Sequence, residues 1–157
     1  SDDESTSYYE RYKGTLDLLD ENNNNYFISS IDNYTDYRVL NSIIESSNLG
    51  AIICIDRNIT EKIAELKKKI ISENQNNNTL ILGVGNTNKI ISLLEERIIN
   101  ATAVQNEFNI GYIAVKNAIE LNSGEKVEKL KLIKSTVIES DDMYSPKNER
   151  ILFQFVR

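Results

Sequence analysis

Three polar side chains follow apolar runs of the sequence, each at the point where a predicted strand ends. They are Asp56, Asn86 and Gln105. The apolar runs before them are Ala51–Ile55, Leu80–Leu82 and Ala101–Val104. Amide groups donate and accept hydrogen bonds, and carboxylates accept them. In open parallel sheets, ligands bind beyond the carboxyl ends of the strands. The spacing therefore predicts that a ligand binds at the carboxyl ends of these strands.

Helical patterns separate these strands, with apolar residues recurring every three or four positions. The succession predicts an α/β fold: a doubly wound parallel sheet with helices on both faces, in flavodoxin-like order. Further strands are predicted at Tyr26–Ile31, within Val127–Ile138 and at Ile151–Val156. Helices are predicted at Tyr8–Leu19, at Asp36–Ser47, from Glu61 to Glu73 with Thr60 as the cap, after Asn86, and from Asn106 to Asn122. Lys67–Lys69 is predicted to be the solvated face of the third helix.

The predicted order begins on a helix, although doubly wound domains usually begin with a strand in the sheet interior. No apolar run precedes Tyr8. We therefore expect the first strand of the fold to be missing from these residues. An interior strand edge left uncovered would invite pairing with another chain.

Composition excludes several function classes. The 157 residues carry a net charge of -6, whereas nucleic-acid binders usually show a basic patch. The chain has no His, which excludes imidazole bases and His-ligated metals. The one Cys, Cys54, lies in an apolar run and is predicted to be a buried thiol. No apolar run approaches the length of a membrane span.

Enzyme chemistry is not predicted either. Gly83 and Gly85 do not belong to a phosphate-binding loop, because no Walker or dinucleotide motif follows them. A phospho-receiver reading, with Asp2, Asp3 and Asp56 around a metal, would need the acidic pair at the end of a first strand. No nucleophile and base stand at a spacing typical of catalysis. We expect no catalytic residue, no metal and no cofactor.

Four segments, in order and at normal spacing, resemble one known family. The pattern Ser-x-x-x-Arg-x-x-Gly occurs as Ser7 to Gly14, and a strand that usually ends in Asn-Asp ends in Asp56-Arg57. The usual Val-Gly-Phe-Asp strand occurs as Leu82 to Asn86. The segment from Ile98 to Gln105, which ends in Ala-Thr-Ala-Val-Gln, resembles the family's Ala-Thr-Val-x-Gln element, and Gly111 to Val115 follow it. The sequence thus resembles the C-terminal lobe of a type I periplasmic-binding-protein-like sugar receptor, of the ribose- or galactose-binding class.

The resemblance implies that Arg11, Asp56 and Gln105 contact the ligand. The family's Asp is replaced by Gly85, which leaves Asn86 as the nearest polar residue. The resemblance further implies that residues 1–140 form the C-terminal ligand-binding lobe and that residues 141–157 form the final hinge crossover. It also implies that an N-terminal lobe is missing.

The function implied is that of a non-enzymatic, extracellular or periplasmic, membrane-anchored solute-binding protein. Its ligand would be a monosaccharide, and closure of its lobes would signal to a sensor histidine kinase or feed a membrane transporter. The alternative is the effector-sensing lobe of a LacI-type transcription regulator, which shares this fold and would not touch nucleic acid through this chain.

Overall fold

Helices and strands alternate from residue 37 onward, as the sequence predicts. The computed structural model describes residues 2–31, 37–45, 49–73 and 75–153. Their elements are α1 Asp2–Glu21, α2 Tyr37–Ile44, β1 Ala51–Ile53, α3 Arg57–Ser72, β2 Leu80–Val84, α4 Asn88–Glu95, β3 Ala101–Val104, α5 Glu107–Asn122, β4 Thr136–Glu139 and α6 Pro146–Leu152. The mixed α/β class is confirmed. No helix within the described ranges has the length and apolar character needed to cross a membrane.

The chain divides into two compact units, Ser1–Val84 (unit 1) and Gly85–Arg157 (unit 2). In unit 1, β1 and β2 pair in parallel with Ile52 opposite Ile81, as predicted. Helix α3 packs on β2, and α2 packs on α3. The core of this unit consists of Leu40, Ile44, Cys54, Ile63, Ala64 and Ile81.

Helix α3 and strand β2 approach closely at Thr60 and Gly83. The Thr60 hydroxyl donates to the Asp56 carbonyl oxygen at 2.8 Å and accepts from the Val84 N–H at 3.2 Å. A Cβ on Gly83 would lie 2.2 Å from Thr60 Cγ2, which is inside van der Waals contact. The absence of a side chain at Gly83 therefore allows this approach.

In unit 2, β3 and β4 pair with Thr102 opposite Ile138, and they run antiparallel. The expected all-parallel order is therefore wrong for this pair. Helix α5 carries the chain away from the carboxyl end of β3, and the irregular segment 123–135 carries it back. Strand β4 consequently starts beside Val104, at the end of β3, and runs the opposite way. Around this pair lie the buried residues Ile90, Leu94, Ile99, Val104, Ile138 and Met143.

Three predicted strands differ in the structure. Residues 24–31 are irregular, so the strand predicted at Tyr26–Ile31 is wrong. Within Val127–Ile138, only the segment from Thr136 onward is a strand. Where a last strand was predicted, Ile151 and Leu152 belong to α6, because Pro146 starts a helix after Ser145; residues 154–157 lie outside the described residues.

Burial differs from the prediction at one position of unit 1, Lys67, and agrees with it at another, Cys54. Lys67 was predicted on a solvated face, but its side chain is 5% exposed and its ammonium donates to the Thr79 carbonyl oxygen at 2.8 Å. Burial lowers the pKa of Lys67 from its ordinary value of 10.5. Cys54 is buried, as predicted, and this burial, followed by the charge of Asp56, raises the pKa of its thiol to about 12.

Candidate functional site

The turn after β2 brings two predicted ligand residues of unit 2 to one edge. The Gly85 N–H donates to the Ala103 carbonyl oxygen at 2.9 Å, and the Thr102 hydroxyl donates to the Gly85 carbonyl oxygen at 2.7 Å. These bonds hold the chain at Gly85 against β3. Asn86, the next residue, therefore lies beside the carboxyl end of β3, where Gln105 follows.

Gly85 has φ 108°, a backbone conformation that residues with a Cβ rarely adopt. This gives a physical reason for the departure from the family pattern, in which an Asp occupies this position. Glycine adopts this conformation readily, and Asn86 is the next polar residue along the chain.

The two amide residues differ in exposure. Gln105 is exposed, whereas Asn86 is half-buried. The Gln105 carbonyl oxygen accepts from the Glu107 N–H at 3.0 Å, so its backbone is fixed by the first turn of the following helix. Two neutral amides can each donate and accept, which suits hydroxyl groups and requires no charge on the ligand.

Sequence reasoning missed the polar residues that follow each amide. Thr87 caps α4, its hydroxyl accepting from the Ile90 N–H at 3.2 Å, and Asn106 caps α5, its carboxamide oxygen accepting from the Asn109 N–H at 2.9 Å. Both caps direct a helix N-terminus, with its partial positive charge, to the end of the strand before it. A Thr or Asn just before a periodic apolar segment was the signal available.

Unit 1 contains the predicted residue Asp56, and it has a structural role there. One carboxylate oxygen of Asp56 accepts from the Ile59 N–H at 3.0 Å, which makes Asp56 the N-cap of α3. The prediction of Thr60 as the cap is therefore wrong, and the helix starts one turn earlier, at Arg57. The ligand role of Asp56 stays a prediction.

Arg11 lies in the interior of α1 rather than at its start, since that helix begins at Asp2. Its side chain is exposed, and its Nε donates to the Ser7 carbonyl oxygen at 3.1 Å, one turn earlier in the same helix. A ligand role for Arg11 therefore also stays a prediction.

A cavity of about 710 Å³ lies within unit 2 beside the start of α5. Asn106 and Asn109 line it together with four basic residues, Lys131, Lys134, Lys147 and Arg150. Asn86 and Gln105 are not among its lining residues. The predicted amide pair and this basic cavity are therefore two separate features of unit 2.

The receiver-like alternative does not fit the placement of its acidic residues. Asp2 and Asp3 fall in the first turn of α1, so they do not end a strand. Among the described residues, no three Cys, Asp or Glu side chains are grouped so that they could hold a metal ion. The polar residues described at the strand ends instead offer hydrogen-bonding groups.

Comparison with solved structures relates this fold to sugar-binding proteins. A solute-binding protein of an ABC transporter from Agrobacterium vitis, bound with α-D-tagatopyranose, superposes with a TM-score of 0.74 at 15% identity, over 92% of this chain and 49% of that one. Another solute-binding protein from Agrobacterium vitis, with bound D-fucose, gives a TM-score of 0.62 at 17% identity, over 74% and 39% of the two chains.

A mutant of the XylFII-LytSN complex gives a TM-score of 0.63 at 21% identity, over 86% of this chain and 49% of that one. No family model matches the sequence, and no curated protein matches it. The chain spans less than half the length of these structures. The fold predicted from the sequence motifs is confirmed: this chain has the fold of part of a periplasmic sugar-binding protein.

Proposed function

We propose that this chain is the ligand-binding lobe of an extracellular solute-binding protein that is not an enzyme. The observation that carries the proposal is the pair of neutral amides, Asn86 and Gln105, held at the end of β3 by the bonds of Gly85. The support from outside the chain is the shared fold with proteins whose bound ligands are monosaccharides.

The ligand in this proposal is a monosaccharide held between this lobe and a second one. Hydroxyl groups would exchange hydrogen bonds with Gln105, Asn86 and Arg11, and with the carboxylate oxygen of Asp56 that is not used by the helix cap. Each such bond contributes about 1 kcal/mol, so affinity depends on several of them together with closure of the lobes.

Signalling or transport would follow from that closure. The ligand would stabilise the closed state, with residues 141–157 crossing the hinge, and a transporter or a sensor kinase in the membrane would recognise that state. A complex of a similar fold with LytSN supports a sensor partner, and the ABC-transporter proteins support a transport partner.

Sugar titration by NMR tests the proposal. A panel of D-tagatose, D-fucose, D-arabinose, D-galactose and D-ribose would be added to the ¹⁵N-labelled chain and to its two-lobe parent protein. We expect saturable shifts at the amides of residues 85–87 and 104–106. Gln105→Ala together with Arg11→Ala should abolish binding by the two-lobe protein while the lobe stays folded, and Gln75→Ala, an exposed amide elsewhere, should leave it unchanged. Undiminished sugar affinity in the double variant would refute the site.

A further inference from the structure

The cavity beside the start of α5 is lined by charges of one sign. Lys131 and Lys134 line it from the irregular segment 123–135, and Lys147 and Arg150 line it from α6. No Asp or Glu is among the described residues of this lining. The whole sequence has 24 acidic and 18 basic residues, so an arbitrary patch would contain more carboxylates than cations. A lining with four cations and no carboxylate is therefore a specific feature of this cavity.

The four basic side chains have no ion-pair partner among the described residues. Two ion pairs of unit 2, Arg97 with Asp141 and Lys116 with Glu120, lie outside the lining of the cavity, and so does Glu149 of α6. Like charges around one space repel each other, and the walls of a cleft concentrate the positive potential that they produce. An anion bound in the cavity would relieve this repulsion.

The other lining residues limit the kind of anion that fits. Asn106 and Asn109 add carboxamide groups, which can donate hydrogen bonds to oxygen atoms. Ile113, Leu132 and Ile133 give the cavity an apolar wall. Its volume of about 710 Å³ lies within the range of about 300–1,000 Å³ that is usual for small-molecule sites. These features suit a small molecule with several charged oxygen atoms better than a monovalent ion.

We propose that this cavity binds a small anion with two or more phosphate or carboxylate groups. The Arg150 guanidinium can hold two oxygen atoms of one such group, and the Lys ammonium groups act as point charges towards the others. Binding would therefore join segment 123–135 to α6. Asn86 and Gln105 do not line this cavity, so the anion site is separate from the proposed sugar site.

The negative charge that these four cations require has one of two sources. One is a bound ligand, and the other is a set of acidic residues on the second lobe that the proposed function includes. A ligand would bind to the two-lobe parent protein as well as to this chain. Acidic residues of the second lobe would instead occupy the cavity in the parent protein and exclude a ligand from it.

Titration calorimetry with two probes tests the proposal. Citrate presents carboxylate groups, and inorganic pyrophosphate presents phosphate groups. Each is titrated into this chain and into its two-lobe parent at the same ionic strength, which sodium chloride adjusts. We expect saturable one-to-one binding of at least one probe to both proteins, and the tighter probe identifies the acidic group. No binding of either probe, or binding to this chain but not to the parent, would overturn the proposal.

Two matched double variants locate the binding. Lys131→Gln with Lys134→Gln removes two cations from the lining, so the affinity for the tighter probe should fall by about tenfold or more. Lys126→Gln with Lys129→Gln removes the same charge from the same segment outside the lining, and salt screens it, so the affinity should fall by less than about threefold.

Both double variants should keep the circular dichroism spectrum of the original chain, because all four Lys side chains are exposed. The comparison therefore reports binding rather than folding. Equal changes in affinity for the two double variants, whether large or small, would show that the segment attracts anions without a site and would overturn the proposal.

Discussion

Helices α3 and α5 are both 16 residues long, but α3 has buried residues and α5 has none. Helix α3 is rich in Lys and Glu, and it has four buried residues, Thr60, Ile63, Ala64 and Lys67. Helix α5 is the more apolar of the two and has no buried residue. Its exposed large hydrophobic side chains are Phe108, Ile110, Tyr112, Val115, Ile119 and Leu121.

The difference lies in what covers the apolar residues. In α3 they form one stripe at spacings of three and four, and this stripe meets β2 and α2. In α5, Phe108, Tyr112, Val115 and Ile119 also share one face at spacings of four, three and four, but this face is exposed. Apolar content alone therefore does not decide burial; a matching face on a neighbouring element is required as well.

The largest expected effect on the free energy of unfolding comes from a comparison of two isoleucines, one on each helix. Ile63→Ala should lower the free energy of unfolding by about 2–5 kcal/mol, because Ile63 is 1% exposed and the substitution leaves a cavity. Ile119→Ala should change it by less than about 0.5 kcal/mol, because Ile119 is 61% exposed. Urea unfolding followed by circular dichroism measures both. Equal losses would show that α5 is packed in solution as tightly as α3.

The next comparison concerns two glycines. Gly83→Ala should destabilise the chain by about 1–3 kcal/mol, because the new Cβ would overlap Thr60 Cγ2. Gly111→Ala in α5 should stabilise it by about 0.5–1 kcal/mol, since a Cβ there meets no atom within 4 Å and helix entropy favours Ala.

A second substitution tests the cause of the Gly83 effect. Thr60→Ser removes Cγ2 and keeps the hydroxyl that binds Val84, so it should restore part of the stability lost in Gly83→Ala. If the double variant is less stable than the sum of the two single effects predicts, the overlap is not the cause.

The smallest expected effect is the contribution of Lys67 to the pH dependence of the free energy of unfolding. Because burial lowers its pKa below the ordinary 10.5, the folded chain loses this proton at lower pH than the unfolded chain does. The unfolded chain then binds more protons, so stability due to Lys67 rises with pH through the window below 10.5. Below that window both states are protonated, and the burial cost is constant.

The substitution Lys67→Met removes the rise in stability with pH that Lys67 causes. The difference in free energy of unfolding between the original chain and the variant should therefore increase as the pH rises towards 10.5. The Cys54 thiol, whose pKa is about 12 in the folded chain, contributes equally to both proteins and cancels. A flat difference for Lys67 would contradict the burial of its charge.

The sequence motifs predicted the α/β class, the order from α2 to α5 and the placement of Asn86 and Gln105 after successive strands. These features follow from periodicity and turn residues, which act over a few positions of the chain. In the structure, the bonds of Gly85 to Ala103 and Thr102 place both amides at the end of β3. Whether they bind a ligand stays a prediction.

Other features were decided by contacts between residues distant in sequence. Lys67 is buried because Thr79, twelve positions later, accepts its hydrogen bond. The direction of β4 depends on the path of segment 123–135, which has no periodicity to predict it.

The sequence by itself determined the helices and strands from α2 to α5, because hydrophobic period and capping residues are local properties. Only the tertiary structure decided which apolar surfaces are covered: the stripe of α3 is buried, whereas the apolar face of α5 is exposed. The physical reason is that burial requires a complementary surface from elsewhere in space, and a linear pattern does not record whether that surface exists.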